Sequence, residues 1–133
     1  MRFEPINPET LGAPRGFNHG MLAPAGGRLL FVAGQTALGD DGRIIAGGFV
    51  AQFERALERV VAVVEAAGGT PERIGRMVFY VTSRADYLAN LKLVGEAYRR
   101  GMGKHYPAMA LVEVAALVDE GAVVEVEATA VVP

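Results

Sequence analysis

Close to the C-terminus the chain reads Val124-Glu125-Val126-Glu127-Ala128, which sets two carboxylates two residues apart. Side chains of a strand alternate between faces, so Glu125 and Glu127 project the same way, about 6 to 7 Å apart. On a face partly covered by a neighbouring molecule, such a carboxylate can act as a general base or orient a water. A solvated strand face, or an ion pair to an arginine of another subunit, accounts for the same pattern without chemistry. Other reactive patterns are missing. His19 and His105 lie far apart with no H-x-x-x-H spacing, so no metal site is expected. Without cysteine there is no thiolate nucleophile and no disulfide. Ser83 has no G-x-S-x-G elbow around it and is better placed to cap a helix. The glycines between Gly12 and Gly20, and the Gly26-Gly27 pair, match neither a dinucleotide fingerprint nor a phosphate loop, and no cofactor is expected.

The elements that must position these residues change character along the chain. From Arg2 to Gly47 short apolar runs alternate with turn signals. Met21-Leu22-Ala23 and Arg28 to Ala33 read as strands joined by a Pro24-Ala25-Gly26-Gly27 turn, with another turn at Asp40-Asp41-Gly42, a meander. From Phe49 the period becomes helical. Phe53, Leu57, Val60, Val64 and Ala67 form one stripe, while most of the charged residues fall elsewhere. Gly68-Gly69 supplies the left-handed backbone that ends this helix, and Thr70-Pro71 starts a short helical turn. Arg76 to Thr82 is a β-branched and aromatic strand. Ser83, followed three residues on by Asp86, resembles a capping box. A second amphipathic helix follows, with Tyr87, Leu91, Val94 and Tyr98 on its stripe, ending near Gly101. Strands from Ala108 to Ala115 and from Val123 to Val132 close the chain. Two helices on one face of this sheet give a two-layer α+β fold, a single domain over residues 1–133. The other face is expected to carry Leu111 and Val123 beside Glu113, Glu125 and Glu127.

Composition bounds the function. With 51% hydrophobic residues in 133 and a mean hydropathy of +0.26, a chain this short has more apolar surface than it can hide, and an oligomer is expected. A net charge of −2 and scattered cations disfavour nucleic acid, whose binding relies on clustered Lys and Arg. Arg99-Arg100, the one adjacent pair, reads as a solvated helix end. The first residues lack the apolar core of a secretory signal, and no run reaches bilayer length, so a cytoplasmic protein without a membrane segment is expected.

Several segments together resemble the Rid family, also called YjgF-like proteins. They are Phe31-Val32-Ala33-Gly34-Gln35, the helix ending Ala66-Ala67-Gly68-Gly69, Val78-Phe79-Tyr80-Val81-Thr82, and the closing pair. That pair is Tyr106-Pro107-Ala108 with Val112-Glu113-Val114, then Val124-Glu125-Val126-Glu127-Ala128. The resemblance implies a chorismate-mutase-like fold, a homotrimer with clefts between subunits, and hydrolysis of enamines and imines such as 2-aminoacrylate. It assigns Glu125 the role of positioning the attacking water. Where the family's deaminases carry an arginine for the substrate carboxylate, this chain has Met109, and where they carry a cleft tyrosine it has Phe17. A carboxylate that loses water in a cleft needs a paired cation, whereas Met offers dispersion and a weakly polar sulfur. A substrate without the usual α-carboxylate is therefore expected. The substrate-contact candidates are Met109, Phe17, Leu111, Gly34, Gln35 and His105. Lys104 and His105 are the nearby cations, though neither stands at the matching place, and Asn90 reads as a surface residue. The alternative functions are a trimeric small-molecule-binding module without catalysis, and an RNA-directed endoribonuclease, against which the acidic composition speaks.

Overall fold

The computed structural model describes residues 2–133. Its regular elements are β1 (Glu4–Ile6), β2 (Gly20–Leu22), β3 (Arg28–Gln35), α1 (Phe49–Ala66), β4 (Ile74–Val81), α2 (Arg84–Ala89), α3 (Leu91–Met102), β5 (Ala108–Glu113) and β6 (Val124–Val132). Four strands form a mixed sheet in the order β3-β6-β4-β5, with only β4 and β5 parallel. Helix α1 lies against β3, β6 and α3, so the helices form a layer on one face of the sheet and the architecture is two-layer α+β. Among the described residues no helix is long and apolar enough to cross a membrane.

The core forms where two periodicities meet. On α1, Phe53, Leu57, Val60 and Val64 are buried at helical spacing. On β6, Val124, Val126, Ala128 and Ala130 are buried at the two-residue spacing of a strand. Phe53 stacks on Phe79 of β4 with ring centroids 5.3 Å apart. α1 ends where expected, through Gly68 at φ 85°, and Gly69 N–H donates to Val64 O at 2.9 Å. Ser83 caps α2, its Oγ accepting from Asp86 N–H at 3.1 Å. Thr70 precedes a 3-10 turn over Pro71–Arg73 and makes no side-chain capping bond.

Three expectations change. The expected meander is absent: β2 pairs with β1, Glu4 opposite Leu22, and β3 pairs with β6, Arg28 opposite Val132. A three-residue strand cannot satisfy the hydrogen bonds of an eight-residue one, whereas β6 matches β3 along its length. The expected second helix is two, broken at Asn90, whose Nδ2 donates to Asp86 O at 2.7 Å. A side chain that competes for backbone carbonyls interrupts a helix in this way. Leu111 and Glu113 do not share a face with Glu125. In the parallel β4–β5 register, Met109, Leu111 and Glu113 stand beside Met77, Phe79 and Val81, residues of the helix-covered face. Ala108, Ala110 and Val112 take the open face instead.

Candidate functional site

On the open face, β6 presents Glu125 and Glu127 and β4 presents Tyr80, in register with Glu125. The β3–β6 register slips between Val32 and Gln35, and this irregularity brings Gly34 beneath Glu125. A Cβ built on Gly34 would overlap the Glu125 carboxylate, so glycine here is a matter of close approach rather than of backbone torsion. Tyr80 Oη donates to Glu127 Oε1. This bond holds the phenol above its ordinary value of 10.0, helped by burial and by the negative charges of Glu127 and Glu125, with Arg76 opposing. Tyr80 was not identifiable from the sequence as a member of this cluster, because the β4–β6 register that joins it to the acids spans more than forty residues of chain. The same face exposes Phe31 (75%) and Leu29 (59%) on β3.

Met109 belongs to a different place. It lines a cavity of about 330 Å³ at the β5 edge, on the helix side, with Phe17, Leu111, Phe79, Tyr98 and Tyr106, while Arg15 and Arg99 border it as well. Phe17 reaches this cavity because its neighbour is fastened to the residues just before β5. Asn18 N–H donates to Pro107 O at 3.2 Å, and Asn18 Nδ2 donates to Tyr106 O at 2.5 Å. Tyr98 and Tyr106 stack at 5.3 Å. The Tyr98 hydroxyl is spent on His105 O at 2.6 Å, and burial first, then the Tyr106 phenol, raises its pKa.

The remaining candidates lie elsewhere. Gln35 accepts from Arg59 Nε of α1 at 3.2 Å and donates to Ala33 O. His105 Nε2 bonds Ile74 O at 2.7 Å, joining the chain before β5 to the start of β4. It borders, with Lys104 and Glu72, a separate depression rather than the Met109 cavity. The structure thus brings Glu125 and Gly34 together on one face, and Met109, Leu111 and Phe17 together on the other. Among the described residues no three His, Asp or Glu side chains are grouped to hold a metal ion.

A family model described as Endoribonuclease L-PSP matches residues 9–132. A RutC family protein of Pyrococcus horikoshii is 30% identical over 122 residues, covering 91% of this chain and 93% of the relative. Protein DfrA of Myxococcus xanthus is 34% identical over 106 residues, 79% of this chain and 77% of its own. Among solved structures, a conserved Rid protein of Yersinia pestis superposes with a TM-score of 0.86 at 32% identity, covering 99% of this chain and 100% of that one. Escherichia coli TdcF, solved with bound serine, gives a TM-score of 0.67 at 29% identity, covering 92% of each chain. With the family model spanning nearly the whole length and the fold shared throughout, the chain belongs to the Endoribonuclease L-PSP family, the group of RutC, Rid and YjgF proteins.

Proposed function

We propose that this chain hydrolyses imines, enamines or related labile nitrogen compounds in a cleft between copies of itself, as a homotrimer, with Glu125 orienting the attacking water. The observation that carries this reading is the placement of Glu125 over Gly34 on a sheet face free of helices. Phe31 and Leu29 leave that face with apolar surface in need of cover. A second copy seated on it would cover that apolar surface and enclose the carboxylate in a cleft.

The step balances without a cofactor. Water oxygen bonds to the imine carbon as Glu125 takes one of its protons. That proton passes to nitrogen to give a carbinolamine; its hydroxyl proton then moves to nitrogen by way of the same carboxylate as the carbon–nitrogen bond breaks, and a carbonyl compound and ammonia leave. Met109 faces the substrate from the cavity at the β5 edge, where it offers contact but no charge. The substrate group it meets is accordingly not an α-carboxylate. A binding module without catalysis is favoured by a different observation: the Tyr98 hydroxyl that borders the cavity already has a partner.

The test uses imines generated in situ, one arm from a primary amine and one from an amino acid, with their disappearance followed beside the uncatalysed rate. Faster loss of the amine-derived imine, removed by Glu125→Gln in an intact trimer, is expected. A monomer by light scattering at micromolar concentration, or unchanged turnover in Glu125→Gln, would sink the proposal.

A further inference from the structure

Helix α3 contains two glycines, and they are glycine for different reasons. A Cβ on Gly101 would stand 3.2 Å from Leu57 Cδ2, so this position lets α3 approach α1. A Cβ on Gly95 would meet no packing partner. Among the described residues, the side-chain atoms within 4 Å of it belong to the Arg99 guanidinium, Nη1 at 3.4 Å and Nη2 at 4.0 Å. Glycine weakens a helix interior, and packing between helices does not explain this one. What its missing side chain leaves is space: Gly95 lines the Met109 cavity, and Arg99, one turn later, folds back across the vacated position.

Arg15 reaches the same cavity from the N-terminal segment, beside Phe17. Arg15 and Arg99 are exposed, and neither side chain has an ion-pair or hydrogen-bond partner among the described residues. The adjacent Arg100, by contrast, is bonded to Glu54 at 2.6 Å. Among the described residues no aspartate or glutamate lines this cavity, although the chain as a whole carries a net charge of −2. The local field is therefore opposite in sign to that of the protein, and it falls at the mouth of a cavity whose floor is Met109, Leu111 and Phe79.

We infer that this cavity takes an amphiphilic organic acid with its apolar body on Met109 and its acid group outward, between Arg15 and Arg99. This rests on the proposed cleft and deepens it. An arginine at position 109 would draw a carboxylate inward to β5, whereas here the charge is met at the mouth and the ligand is reversed. The ligand class is a monocarboxylate with an aryl or branched alkyl body, its acid separated from the carbon that lies near Met109. A volume of about 330 Å³ is at the small end for a ligand site.

Calorimetric titration of the full chain with 4-phenylbutyrate and with its uncharged amide tests this. The acid is expected to bind roughly three- to tenfold more tightly than the amide, the range for two solvent-accessible ion pairs. The gap should narrow in high salt, which screens exposed charges. Arg99→Gln and Arg15→Gln should each reduce that gap without weakening the amide. Gly95→Leu, which suits a helix and fills the cavity, should weaken both ligands. Equal affinities for acid and amide, no binding of either, or an acid preference that survives the double arginine variant would each overturn the inference. Repeating the titration in Glu125→Gln keeps the two proposals apart. Binding with acid preference there supports this site whether or not the native chain hydrolyses imines, and turnover without acid preference leaves only the hydrolase reading standing.

Discussion

The carboxylate of Glu125 occupies the space that a β-carbon at Gly34 would take. The overlap falls on the far end of a flexible side chain, so the backbone has no need to move when position 34 is enlarged. Gly34→Ala is accordingly expected to cost little stability, within about 0.5 kcal/mol, while turning Glu125 aside. Imine hydrolysis should fall to the level of Glu125→Gln. Thermal melts set beside the coupled assay check this, and an alanine variant with native turnover would separate Gly34 from the acid.

Met109→Arg tests the missing clamp. Hydrogen bonds to a charged group contribute roughly 1.5 to 3 kcal/mol, and about 1.4 kcal/mol is tenfold in rate. On 2-aminoacrylate or 2-iminopropionate the native chain is expected to be about ten- to a hundredfold slower than a relative carrying arginine at this position. The variant should recover about tenfold. No gain in a folded variant that keeps the native assembly would show that Phe17 or the cavity walls have been rebuilt beyond one residue.

The Tyr80–Glu127 pair makes a prediction in alkali. Its hydrogen bond raises the folded-state pKa of the phenol above 10.0. The stability this contributes is fully present below the unfolded value and is lost as pH rises through the folded one. In Glu127→Gln the tyrosinate absorbance assigned to Tyr80 should appear at lower pH than in the native chain. An unmoved titration would mean that the bond does not persist in solution.

Two substitutions should differ widely in cost. Leu57 is 1% exposed in the core, and Leu57→Ala is expected to destabilise by about 2 to 5 kcal/mol through lost burial and the cavity left behind. Arg100→Ala removes an ion pair whose side chains are 58% and 29% exposed and should cost less than about 1 kcal/mol. The Arg100 hydrogen bond holds the Glu54 carboxyl below its ordinary value, so the small contribution exists above that value and fades as pH falls through the lowered one. Urea unfolding at neutral pH ranks the two, and comparable losses would contradict the burial argument.

What the sequence made legible was local. The stripe on α1 and the alternation of Glu125 and Glu127 follow from periods of 3.6 and 2 that need no knowledge of partners. The partner of β3 was not legible, because β2 lies close in sequence and β6 lies almost a hundred residues away, and only the fold chooses between them. The face of Leu111 depended on which side of β5 the helices cover, which alternation alone does not say. Tyr80 joined the acids through cross-strand register. Arg99 read as a helix end in solvent because the segment holding Phe17, which meets it at the cavity, lies more than eighty residues away in the chain.

Met109 and Glu125 turn to opposite faces of a single sheet, with β4 between their strands. No copy can therefore bring its own pair to bear on one substrate, and a cleft that uses both must borrow one from a neighbour. Such a site belongs to the contact and not to the chain, which gives it a genetic signature. Two disabled variants, Gly95→Leu blocking the cavity and Glu125→Gln removing the base, should rescue one another when unfolded and refolded together. For random mixing in equal amounts around a closed head-to-tail ring, about one cleft in four receives both native halves, whereas each variant refolded by itself has none.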